Sequence, residues 1–143
     1  MEAKVTWQKK MSFIGAGKLG LTVPIDTSIE QGGDSSGFSP MELLLVGLAG
    51  CTAMDVISIL EKKRQEVTRF EVRVNGERAS EHPKVFTNIV VEYIVGGKSI
   101  DRAAVDRAVE LSETKYCSAM AMISKTAKIE RKIVVEEAEI PTL

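Results

Sequence analysis

Two cysteines, Cys51 and Cys117, are the residues whose type best suits them to covalent chemistry at neutral pH. A thiolate attacks electrophilic oxygen or sulfur, whereas a thiol in an apolar setting is an inert core residue. Asp55 follows Cys51 by one helical turn and shares its face. A nearby carboxylate and an apolar surrounding both raise a thiol pKa. Cys51 therefore needs a cation or a hydrogen-bond donor from another segment in order to react. Cys117 falls near the start of a short predicted helix, where backbone N–H groups favour a thiolate, with Lys115 and Lys125 close in sequence. Packing against Met120 and Met122 is its other reading. Two cysteines cannot build a disulfide framework. With one His and two Cys, a closed zinc site would need carboxylates to complete it, so no metal is expected.

Three short patterns imitate other chemistries. Gly15-Ala16-Gly17-Lys18-Leu19-Gly20 matches G-x-G-x-x-G but runs into the strand-like Leu21-Thr22-Val23-Pro24, where a dinucleotide fingerprint must open a helix. Gly33-Asp34-Ser35-Ser36-Gly37 matches a nucleophile elbow, but Ile29-Glu30-Gln31-Gly32 is not the strand that must precede it. A serine hydrolase would have to pair Ser35 with His82, which reads as a surface turn residue beside Pro83. Gly96-Gly97-Lys98-Ser99 is half a P-loop, since Glu92 stands where the first glycine belongs.

The elements that must position the cysteines follow from periodicity. Ala3, Val5 and Trp7 alternate with polar residues as in a half-buried strand. Ser12-Phe13-Ile14 and Leu19 to Ile25 continue the sheet, with a turn expected at Gly15-Ala16-Gly17 and Pro24 marking an edge strand. Thr27 to Ser39 reads as a mobile Gly- and Ser-rich loop. Ser39-Pro40-Met41-Glu42 is a capping box with proline at the first helical position, predicting a helix from Pro40 to about Lys63. From Met41 to Leu60 its only polar residues are Glu42, Thr52, Asp55 and Ser58. A helix apolar all round must be buried all round, and a small domain meets that need with a second copy. A homodimer is therefore expected, with Gly47 and Gly50 allowing close backbone approach.

Phe70, Val72 and Val74 alternate with charged residues in one further strand, expected to end at Asn75-Gly76. Phe86 to Val95 forms another, expected to end at Gly96-Gly97. Asp101 to Glu113 is an amphipathic helix, a short helix runs from about Lys115 to Thr126, and Ile129 to Glu136 is the last strand. The order βββ-α-ββ-α-α-β has clustered strands and predicts an α+β fold.

The chain has 143 residues, room for one domain spanning 1–143. Apolar residues are 44%, and 19 basic against 20 acidic side chains give a net charge of −1. Neither a nucleic-acid footprint nor a membrane-binding basic tail is present. The longest uncharged run, Leu43 to Met54, is too short to span a bilayer, and the first residues lack a signal-peptide apolar core. The expected compartment is the cytoplasm.

Three segments together carry a family resemblance over nearly the whole chain. Ser39-Pro40-Met41-Glu42-Leu43-Leu44-Leu45 with Gly47-Leu48-Ala49-Gly50-Cys51-Thr52, then Glu81-His82-Pro83-Lys84-Val85-Phe86, then Tyr116-Cys117-Ser118-Ala119-Met120, resemble the OsmC/Ohr family of osmotically inducible and organic-hydroperoxide-resistance proteins. The stretch from Cys51 to Leu60 is most similar to the YhfA-like branch. The resemblance implies an intertwined α+β homodimer with two sites at the subunit interface. It implies Cys51 as peroxidatic thiol, Cys117 as resolving thiol, a disulfide between them, an external dithiol reductant, and no need for a metal or bound organic cofactor. An apolar interface pocket would favour organic hydroperoxides.

Two departures from that pattern bear on the site. Met41 stands where the family's peroxidases place Glu, with Glu42 one residue later, a rotation of about 100° on a helix. Glu42 thus has a capping reading beside a catalytic one. The family's arginine lies in the N-terminal strands, but Arg64 is the first arginine here. Lys18 is the best substitute, ahead of Lys9 and Lys10, though it also reads as a solvated turn residue. The alternative function is a non-peroxidase dimer that binds a small apolar or thiol-reactive ligand at the same interface.

Overall fold

The computed structural model describes residues 1–138 and is α+β. It packs as two compact units, the first Met1–Leu44 and the second beginning at Leu45. In the first, β1 (Ala3–Lys9), β2 (Ser12–Gly17) and β3 (Thr22–Ile25) form an antiparallel meander. Pro24 lies on the edge strand as expected, since it has no N–H to give a further neighbour. The glycine segment, however, is not the turn. Gly15 and Gly17 lie inside β2, and a Cβ on Gly15 would stand 3.1 Å from Val23 Cγ1 and 3.2 Å from Ile25 Cδ1. The turn falls one step later, where Gly20 takes a φ of +78°.

The loop after β3 is built around Asp26 and contains a single 3-10 turn, Ile29–Gln31. The Asp26 carboxylate, only 2% exposed, accepts hydrogen bonds from the Thr27, Asp34 and Ser36 N–H groups and the Ser36 hydroxyl. These donors hold its pKa down at about 2. Phe38 bridges back to β3 by donating its N–H to Pro24 O and accepting the Asp26 N–H.

Helix α1 (Pro40–Lys62) starts at the predicted capping box. Glu42 N–H donates to Ser39 Oγ at 3.2 Å, and Ser39 N–H donates to Glu42 Oε2 at 2.9 Å. Its length and composition would suffice to cross a membrane. Its buried stripe of Leu48, Thr52, Val56 and Leu60 recurs every four residues, the period of a helix laid on a protein core. Val46 and Met54, off that stripe, are exposed in the single chain.

The second sheet has the order β4-β5-β6. Strands β4 (Glu66–Arg78) and β5 (Phe86–Lys98) are antiparallel, and β6 (Lys128–Glu137) is parallel to β5. Parallel pairing requires a crossover, here supplied by α2 (Arg102–Leu111), a π-helical turn (Ser112–Tyr116) and α3 (Ser118–Ile123). Asp101 caps α2 by accepting from Ala103 N–H at 3.0 Å. Strands β4 and β5 outrun Asn75-Gly76 and Gly96-Gly97, which were expected to end them. Gly76 pairs with Ile89 inside the ladder, and a Cβ there would lie 2.8 Å from the Phe86 ring. Gly96 and Gly97 pair with β6 and sit beside the register shift between Val67 and Arg69. These glycines provide close approach rather than turns. Central β5 is buried at Ile89, Val91, Tyr93 and Val95, and the α2 stripe of Ala104, Val105, Ala108 and Val109 completes the core.

Candidate thiol site

The C-terminal unit brings Cys51 and Cys117 together from residues far apart in sequence. Cys51 lies on α1 beside the buried stripe, with Asp55 one turn on. Cys117 starts α3, not within the helix but at its N-cap, in extended conformation. Its Sγ accepts the Met120 N–H at 3.4 Å, a role usually taken by Ser, Thr or Asp. The predicted start near Lys115 is displaced because Ser112–Tyr116 form a π-helical turn, closed by Cys117 N–H donating to Ser112 O at 2.8 Å. The two sulfurs and a carboxylate oxygen of Asp55 all lie within 4.8 Å of one another. Cys51 is half-buried, and Cys117 is 3% exposed.

A buried chain of hydroxyls supports Asp55. Ser112 Oγ donates to Asp55 Oδ2 at 3.0 Å, Thr52 Oγ1 lies 2.8 Å from Ser112 Oγ, and Tyr93 Oη lies 2.8 Å from Thr52 Oγ1. Thr52, Tyr93 and Ser112 are fully buried, so each hydroxyl needs a partner, and each has one. Sequence reading noted Asp55 but missed these three. Their one available signal was a hydroxyl interrupting an apolar run, as Thr52 does in α1 and Tyr93 in β5.

The local field disfavours a thiolate at Cys117. Burial pushes its pKa up to about 11, and the neighbouring Cys51 and Asp55 push the same way against the Met120 N–H. Burial likewise raises the Tyr93 phenol, opposed by its bond to Thr52. Glu113 is raised by burial despite its 2.9 Å ion pair with Arg131.

The remaining predicted residues lie in the N-terminal unit. Glu42 occupies the capping box, and Lys18 lies in the turn after β2. Lys10 pairs with Asp34 at 2.7 Å, and Lys9 lies 3.9 Å from the same carboxylate. Ser35 follows the 3-10 turn rather than a strand, so the elbow geometry is absent there.

Comparison with known proteins agrees with this architecture. A family model described as OsmC-like protein matches residues 32–132. The chain is 42% identical over 129 residues to protein YhfA of Escherichia coli K12, spanning 90% of this chain and 93% of that protein. The solved structure of a hypothetical protein from Aquifex aeolicus VF5 is similar at a TM-score of 0.84 and 31% identity, covering 96% of this chain and 97% of that one. An organic hydroperoxide resistance protein OsmC from Legionella pneumophila shares the fold at a TM-score of 0.72 and 13% identity, covering 94% and 96%. With the family match extending over most of the sequence and close identity along nearly all of YhfA, the chain belongs to the OsmC family.

Proposed function

We propose that this protein is a thiol-dependent reductase of organic hydroperoxides, working through Cys51 and Cys117. The observation that carries this reading is the approach of the two sulfurs to within 4.8 Å. A disulfide bond is about 2.05 Å long, so closure requires a movement of about 3 Å at most, shared between two side chains. Half-buried Cys51 is the more exposed of the two residues and takes the attacking role; buried Cys117 takes the resolving role. The Legionella relative described as an organic hydroperoxide resistance protein shares the fold and supports the choice of substrate class.

In the first step the Cys51 thiolate attacks the terminal oxygen of a hydroperoxide. The O–O bond breaks, the alkoxide takes a proton and leaves as alcohol, and Cys51 becomes a sulfenic acid. Cys117 sulfur then attacks the Cys51 sulfur. The S–S bond forms, the S–O bond breaks, and the Cys117 proton leaves with the hydroxide as water. An external dithiol restores both thiols by exchange, becoming a disulfide itself.

The exposed apolar residues of α1 support a second part of the reading: a second copy of the chain covers them, forming a homodimer. Two free thiols suit a reducing compartment, which the cytoplasm provides.

The test is intact-mass analysis of reduced protein after one equivalent of tert-butyl hydroperoxide. Loss of two hydrogens, mapped to a Cys51–Cys117 bridge, is expected. Cys51→Ser should abolish hydroperoxide consumption, and Cys117→Ser should leave Cys51 as sulfenic or overoxidised acid. Two free thiols after exposure, or full activity in both variants, would overturn the reading.

A further inference from the structure

Asp55 has no evident task in peroxide reduction, since a carboxylate beside two thiols opposes formation of a thiolate. Its surroundings suit another task. Two sulfurs and one carboxylate oxygen converge from α1 and the N-cap of α3, all within 4.8 Å of one another. Each is a metal ligand when deprotonated, and the three together would concentrate negative charge unless a cation joined them. In a tetrahedral zinc site, bonds of about 2.3 Å to sulfur place two sulfurs about 3.8 Å apart. The present spacing therefore needs a contraction of about 1 Å at most, within the reach of side-chain torsions.

The groups behind these ligands are also arranged as in a metal site. Ser112 donates to Asp55 Oδ2 at 3.0 Å, which holds the carboxylate beside the two sulfurs. Met120 N–H donates to Cys117 Sγ. Hydrogen bonds of this kind orient ligands and stabilise metal-bound thiolates. Thiolates select zinc-class cations over magnesium or calcium, and the carboxylate oxygen favours Zn2+ over Cu+. Counting ligands by type in the sequence had argued against a metal; the fold supplies the carboxylate that such a site required.

We propose that reduced Cys51 and Cys117, with Asp55, bind one thiophilic divalent cation of the zinc class, leaving a fourth position open. Binding releases the two thiol protons as both sulfurs become thiolates. A disulfide has no thiolates, so the metal-bound and disulfide states exclude each other, and oxidation of the pair by a hydroperoxide would expel the metal.

The test is anaerobic titration of the reduced, metal-free protein with Co2+ alone, followed by displacement with Zn2+. A sulfur-to-cobalt charge-transfer band saturating at one Co2+ per chain is expected, with bleaching by Zn2+. Cys51→Ser or Cys117→Ser should weaken binding at least a hundredfold. Asp55→Asn should weaken it at least tenfold while two titratable thiols remain. X-ray absorption of the zinc-loaded wild type should count two sulfur ligands and two light-atom ligands, independently of whether any variant folds. Absence of the band in protein with two free thiols, or a count other than two sulfurs, would overturn the proposal. Peroxide reduction is assayed on metal-free protein, so its failure is separable from failure of metal binding.

Discussion

The Ser112 hydroxyl donates to Asp55 Oδ2 at 3.0 Å, and this bond fixes the proton order through four side chains. A hydroxyl has one proton to give. With that proton given to Asp55 Oδ2, Ser112 must accept from Thr52, and Thr52 must in turn accept from Tyr93. Every donor then points towards Asp55. The chain ties β5 to α1 and to the turn that delivers Cys117, so an energetic change in it reaches the thiol pair.

Thr52→Val, which keeps the shape and removes the hydroxyl, should therefore cost more than Tyr93→Phe. The valine variant leaves both the Tyr93 and Ser112 hydroxyls without their buried partner, a loss of about 1–3 kcal/mol. The phenylalanine variant removes the terminal donor and leaves only an acceptor lone pair on Thr52, with a loss of about 1 kcal/mol. Urea denaturation of both variants and the double variant checks the order. Equal losses would mean that the protons are not ordered this way.

Asp26 gives the N-terminal unit a definite acid dependence. Its folded pKa of about 2 lies below the ordinary aspartate value of 3.8, so its stabilising contribution is complete above about pH 4. That contribution falls as pH drops from there through about 2, as the carboxylate takes up a proton. Asp26→Asn should be less stable than wild type at pH 7, with the gap closing across this window. Amide exchange at Ser36, whose N–H donates to Asp26, reports it locally. A gap unchanged between pH 7 and pH 2 would contradict this account.

Local chemistry explains which elements were legible in the sequence. The start of α1 was readable because Ser39 and Glu42 satisfy each other around Pro40, all within four residues. The glycines misled because the same residue type serves turns and close contacts, and only the partner strand decides. Gly76 faces the Phe86 ring and Gly15 faces Val23, neighbours that no local window contains. The start of α3 was misplaced because a π-helical turn disturbs the regular period. At the thiol site, the two cysteines were legible by residue type, and the family resemblance suggested pairing them. The hydroxyls that organise Asp55 were not, since Thr52 meets Tyr93 and Ser112 across 41 and 60 residues.

Gly76→Ala tests the close-contact reading directly. Its added methyl would lie 2.8 Å from two Phe86 ring carbons, and the ring is buried. Overpacking of this kind costs about 1–3 kcal/mol. Adding Phe86→Leu should relieve the clash, so the double variant should lose less than the sum of the single variants. Gly17→Ala, with nothing within 4 Å of its Cβ, serves as the control and should be close to neutral. Additive losses in the double variant would show that the ring and the glycine are not coupled.

Gly47 and Gly50 separate a lone helix from a paired one. In the single chain a Cβ on either meets nothing within 4 Å, so alanine at Gly50 should stabilise α1 by about 0.5–1 kcal/mol. In the proposed homodimer the same positions admit a second backbone, and bulk there would keep it out. Gly47→Leu combined with Gly50→Leu should then retain helix by circular dichroism while sedimenting partly as monomer, whereas wild type should show no folded monomer at micromolar concentration. Wild-type-like dimerisation in the double variant would move the interface off this face of α1, and a monomeric wild type would remove the dimer altogether. The glycines are informative because helix propensity and dimer packing predict opposite signs for added bulk at the same positions.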